Sequence, residues 1–143
     1  MQKTRINPPD HPWYWSMPVK FSQGWKVEDA DYIFVGGQVS ADRNGSVIGE
    51  GDIEEQTKNV FENVQLVLRA AGAEMGDIVR LNTYYVYNGP DEGAVEFWEK
   101  MTRVRMQYIA DPGPAATAVC VPRLAYPGLL IEVEAIAAVP KGG

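Results

Sequence analysis

The chain has 143 residues, one domain by length and long enough to bury ~70% of the surface its unfolded form exposes. A hydrophobic share of 45% with 22% charged residues belongs to a packed globular protein, not a disordered one. The net charge of −6 argues against nucleic acid as a partner, because phosphate binding is driven by clustered Lys and Arg. Residues 20–26 and 103–105 are too sparse in cations to reverse this.

Cys120 is the single cysteine, which excludes an internal disulfide and fits a reducing compartment. No apolar run precedes the N-terminal prolines and none reaches the ~18 residues of a membrane span. The expectation is a cytoplasmic protein with no membrane association and one domain over residues 1–143. Residues 1–18, with Pro8, Pro9, Pro12 and Pro18 around Trp13, Tyr14 and Trp15, form an irregular lead-in whose aromatic cluster packs on something.

Residues 20–27 and 32–39 read as strands separated by Glu28-Asp29-Ala30-Asp31. Asp42-Arg43-Asn44-Gly45 is a turn, and Val47-Ile48 adds a short strand beyond it. Asp52 opens a helix as its cap, with Glu55 completing a capping-box-like pair. Ile53, Val60, Phe61, Val64, Val67, Leu68 and Ala71 recur at helical spacing and define its buried face, and Gly72 ends it. Residues 79–87 read as a strand. A second helix follows Gly89-Pro90-Asp91, with Val95, Trp98, Met101, Thr102 and Arg105 on one line and Phe97, Val104 and Tyr108 beside it. Pro112-Gly113-Pro114 stops it. Strands over 117–124 and 129–138 complete the order ββαβαββ, an α+β fold of two helices on one mixed sheet.

Functional patterns are few. Gly36-Gly37 lacks the Gly-Lys-Ser/Thr of a phosphate loop, and one His with one Cys cannot build a zinc site. A catalytic triad on His11 would place its base in the lead-in. Glu132 and Glu134 alternate with Ile131, Val133 and Ile136, which by period alone is the solvated face of a half-buried strand. Cys120, between two valines, reads as a packing residue. Trp25, Trp98 and Tyr84, Tyr85 and Tyr87 read as core or interface. Asn59 and Asn63 fit either cap-like bonds or surface.

Several motifs together resemble the Rid family of reactive-intermediate deaminases (YjgF/L-PSP-like), from about residue 18 to 139. Phe21-Ser22-Gln23 stands for the family's Tyr-Ser-Gln, and Phe34-Val35-Gly36-Gly37-Gln38 for its Ser-Gly-Gln strand end. Asp42 to Gly45 is similar to its Asp-x-x-Gly turn. Gln56, Asn63-Val64 and Leu68-Arg69-Ala70-Ala71-Gly72 resemble its first helix, and Asp77-Ile78-Val79-Arg80 its Asp-Val-Val-Lys. Pro114-Ala115-Ala116-Thr117, Arg123-Leu124 and Ile131-Glu132-Val133-Glu134-Ala135 follow in the family's order.

The resemblance implies a chorismate-mutase-like homotrimer with ligand clefts between subunits. It implies hydrolysis of enamines or imines with release of ammonia, without metal or organic cofactor. Aminomuconate-type deaminases belong to this wider family. Carried over by position, Glu132 becomes the catalytic, water-placing glutamate, Gly36 and Gly37 the Ser-Gly step, and Phe21 the pocket tyrosine. Ala118 takes the place of a frequent cysteine, and Glu96 that of a helix asparagine. The family's carboxylate-gripping arginine falls on Ala116. Losing one side of a desolvated arginine–carboxylate contact costs ~2–5 kcal/mol. A roomier, drier cleft with Trp15 or Trp98 as apolar wall is therefore expected, with an altered substrate. The alternative is a non-catalytic ligand-binding trimer of the same fold.

Overall fold

The computed structural model describes residues 1–12 and 15–142, so the expectation for Trp13 and Tyr14 lies outside the described residues. Among the described residues, six strands and two α-helices run in the order β1 (Gln2–Ile6), β2 (Gly24–Glu28), β3 (Ala30–Val39), α1 (Ile53–Ala70), β4 (Ile78–Tyr85), α2 (Ala94–Tyr108), β5 (Ala115–Cys120) and β6 (Ile131–Pro140). The expected ββαβαββ order is present with one strand added at the front. No helix among the described residues is long and apolar enough to cross a membrane.

The addition corrects the irregular lead-in: β1 pairs antiparallel with β2, Gln2 opposite Glu28 and Ile6 opposite Gly24. Its sequence QKTRI has no apolar face, so backbone bonds rather than side-chain burial hold it. Residues 20–23 are not a strand, although Ser22 bridges to Ala115. The expected short strand at Val47-Ile48 is only a bridge from Val47 to Ala41.

The main sheet has the order β3-β6-β4-β5. β6 is antiparallel to both β3 and β4, and β5 is parallel to β4. A parallel pair needs a crossover, and α2 supplies it. Both helices lie on one face. Val60, Phe61, Val64 and Leu68 of α1 bury there with Leu81, Ile131, Val133 and Ala137 of the sheet, each full burial of a large apolar side chain contributing about 1.5–3 kcal/mol. Phe61 stacks on Tyr108 at 5.6 Å and ties the helices together. Ala71, expected on the buried face, is exposed.

Asp52 caps α1, its carboxylate accepting from the Glu54 and Glu55 amides at 3.0 and 3.1 Å. The reciprocal half of the expected capping pair is replaced, because the Asp52 amide donates to the Gly49 carbonyl. Three amides on α1 then fasten the sheet. Asn59 Nδ2 donates to Ser40 Oγ and Asn63 Nδ2 to the Val39 carbonyl, both at the end of β3. Gln56 is fully buried. Its Nε2 donates to the Gly49 and Gly128 carbonyls and its Oε1 accepts from the Leu130 amide, which fixes the entry into β6.

Candidate functional site

Strand alternation sorts the sequence-derived residues onto two faces. Ala116 lies opposite Leu81 of β4, a fully buried residue on the helix side. Ala116 and Ala118 therefore face the helices. Glu132 lies between Ile131 and Val133, both fully buried, so it points to the open face, paired with Tyr84. Within one chain Glu132 and Ala116 are on opposite sides of the sheet.

The helix side holds a cleft between α2 and β5. Phe21, Trp15, Trp98, Ala116 and Ala118 all line it. Trp15 stacks on Trp98 at 5.2 Å and meets Phe21 edge-on at 6.1 Å. The lead-in thus closes one wall of the cleft, and Trp98, packed against the core, forms part of the same wall. In a single chain the cleft is half-open, with a free volume of about 60 Å³, and the tryptophan pair forms one of its sides. Thr83 and Thr102 also line it, whereas Thr117 turns its hydroxyl to the open face, where Oγ1 accepts from Arg80 Nη2.

The floor of this cleft is anchored by a close backbone approach. Ser22 Oγ donates to the Gly113 carbonyl at 2.6 Å and Trp25 Nε1 to the same oxygen at 3.1 Å. A Cβ on Gly113 would collide with the Lys20 carbonyl oxygen, so only glycine lets residues 20–22 lie against β5.

Arg105, on the same helical line as Trp98, Met101 and Thr102, enters the cleft with them. Its Nη2 donates to the Lys20 carbonyl at 3.0 Å. Burial pulls the guanidinium down to about 10, which leaves it charged at neutral pH. The three- and four-residue spacing along α2 was the sequence signal for its direction. What spacing did not contain is that this line faces Ala116.

On the open face, β3 bulges at Gly36-Gly37: Val35 pairs with Ala135 and Gln38 with Val133, leaving one extra residue on β3. A Cβ on Gly37 would stand 2.7 Å from Glu132 Oε2, so the bare glycine leaves room for that carboxylate. Gly36 lines a hollow with Phe34, Arg80, Asn82 and Glu134. Glu134 is engaged, its Oε1 accepting from Asn82 Nδ2 at 3.1 Å and the Tyr84 hydroxyl at 2.9 Å. That bond raises the Tyr84 phenol above its ordinary value, and the charge of Glu134 adds to it. Arg80 Nη2 donates to Thr117 Oγ1. Among the described residues, none of the ion pairs involves Glu132.

Glu96 stands apart from both places. It is exposed on α2 and pairs with Lys100 at 3.3 Å. Cys120 is exposed at the end of β5 rather than packed. No group of His, Cys, Asp or Glu among the described residues could hold a metal ion.

Two helices on a β3-β6-β4-β5 sheet, with an apolar cleft on one face and a glutamate over a Gly-Gly bulge on the other, define a chorismate-mutase-like α+β domain. Residues 16–139 match the family model described as Endoribonuclease L-PSP. A RutC family protein of Pyrococcus abyssi is 41% identical over 117 residues, 82% of this chain and 84% of its own. The RutC family protein YjgH of Escherichia coli is 31% identical over 115 residues, 80% of this chain and 81% of its own. The crystal structure of a Rid family protein from Yersinia pestis superposes with a TM-score of 0.77 at 34% identity, covering 97% of this chain and 100% of that one. The chain belongs to the Rid/YjgF family, and that membership supports a small-molecule-binding or deaminase-like role.

Proposed function

We propose that this protein is a hydrolytic deaminase that needs no metal and acts on an enamine- or imine-type small metabolite. Two subunits of a homotrimer complete each site, one giving the cleft of Ala116 and Ala118, the other the open sheet face with Glu132. The observation that carries this reading is the Glu132 carboxylate seated on the Gly36-Gly37 bulge. It is half-exposed and outside the hydrogen bonds that occupy Glu134. A carboxylate so placed can hold a water and take its proton.

The step balances without a co-reactant. Water oxygen bonds to the imine carbon while Glu132 accepts one water proton and returns it to nitrogen, giving a carbinolamine. Glu132 then takes the hydroxyl proton and passes it to the same nitrogen, the C–N bond breaks as the C=O bond forms, and a carbonyl and ammonia leave. Ala116 in the arginine's place changes which substrate enters. The exposed Tyr32, Phe34 and Val119 leave an apolar sheet face that a second subunit would cover. The family description names an endoribonuclease, but a net charge of −6 supplies no cationic track for RNA.

The test is ammonia release from a panel of imines generated in situ, with Glu132→Gln beside the wild type. Turnover lost in the variant supports the reading. Equal turnover in both removes Glu132 from the chemistry, and no turnover on any member removes the deaminase assignment.

A further inference from the structure

The cation absent from position 116 has a counterpart on a different element. Arg105 comes from α2 and Ala116 from β5, yet both line the same cleft. The other arginines with recorded partners are committed elsewhere. Arg5 bonds Ser22, the Phe21 carbonyl and Asp111, Arg80 bonds Thr117, and Arg103 pairs with Glu99. Arg123 is exposed on the segment between β5 and β6.

Arg105 is held from behind. Lys20 braces the end of α2 twice, its Nζ donating to the Met106 carbonyl at 2.9 Å and its own carbonyl accepting from Arg105 Nη2. None of the ion pairs among the described residues involves Arg105. A guanidinium has five donors in a planar fork, and one backbone carbonyl uses only one of them. A half-buried cation with no carboxylate beside it is unfavourable unless something anionic completes it.

We propose that Arg105 is the carboxylate-binding, specificity-determining residue of this cleft, and that its ligand is a monocarboxylate with a compact apolar body. The anion docks on the guanidinium, and the adjoining carbons lie against Trp98 and Trp15. This rests on the reading of the cleft as the ligand site. It makes the altered substrate a carboxylate gripped from the helix side, so that its reactive carbon sits differently from one held at position 116.

The probes are α-ketoisocaproate, a stable oxo counterpart of an imino acid, and methyl isobutyl ketone, which has a methyl in place of the carboxylate. Both are titrated calorimetrically into wild type and Arg105→Gln. The wild type should prefer the acid by about tenfold or more, and Arg105→Gln should abolish that preference by weakening the acid far more than the ketone. A preference that survives Arg105→Gln overturns the assignment and leaves the cleft reading standing. A wild type that binds neither probe overturns the cleft reading and the assignment with it. Because the variant also loses the Lys20 bond, phenylglyoxal labelling of the wild type gives a second reading. α-Ketoisocaproate should protect Arg105, and unprotected labelling of Arg105 at saturating acid contradicts the proposal.

Discussion

Gly37 and Glu132 are opposed across the β3–β6 pair so closely that a methyl group on Gly37 would stand 2.7 Å from Glu132 Oε2. The obstacle is the free end of a flexible side chain, not backbone. Gly37→Ala is therefore expected to fold, with stability changed by no more than about 1 kcal/mol. Displacing the carboxylate should lower kcat by roughly tenfold to a hundredfold. Melting temperature and turnover measured together check this; full activity in Gly37→Ala would show that the position of Glu132 is not critical.

Gln56 reaches the same carboxylate through the scaffold. It is fully buried and meets three backbone groups, at Gly49, Gly128 and Leu130. Gln56→Leu keeps the volume but leaves those groups without a partner, which should destabilise the fold by about 3 kcal/mol or more. Denaturant unfolding measures this, and a change below about 1 kcal/mol would mean that the two loops find other partners.

Alkaline stability follows from the tyrosines. The hydrogen bond to Glu134 raises Tyr84, and burial raises Tyr85 and Tyr108. The unfolded chain then releases these protons first, near pH 10, so the contribution is complete below about pH 10 and is lost as pH rises through the raised values. Melting temperature followed from about pH 8 to about pH 11 should fall more steeply above about 10. Tyr84→Phe should soften that fall, and an unchanged slope would contradict the role given to the Tyr84–Glu134 bond.

Legibility in the sequence followed periodicity. α1 was readable because Val60, Phe61, Val64 and Leu68 bury one stripe, and β6 because Glu132 and Glu134 alternate with buried residues. β1 was not readable, since a strand of mostly exposed residues held by backbone pairing carries no hydrophobic signature. Of the residues that line the cleft, Phe21, Ala116 and Ala118 carried a family resemblance, Trp15 and Trp98 carried only their aromatic bulk, and Arg105 carried a helical line. No pattern in the chain stated that β4 lies between β5 and β6. Nor did any state that Ala116 and Glu132 therefore face opposite ways, because strand order is a long-range property.

That opposition makes subunit sharing the central claim, and mixed oligomers test it directly. Glu132→Gln removes the base and leaves the cleft open. Ala118→Trp, at an exposed position lining the cleft, blocks the cleft and leaves Glu132. Each variant alone should be inactive in ammonia release. Co-expressed as mixed trimers, verified by native mass, they should recover roughly a quarter of wild-type activity, because random mixing leaves that share of sites with both intact halves. Mixed trimers with no activity above either parent would contradict a site shared between subunits.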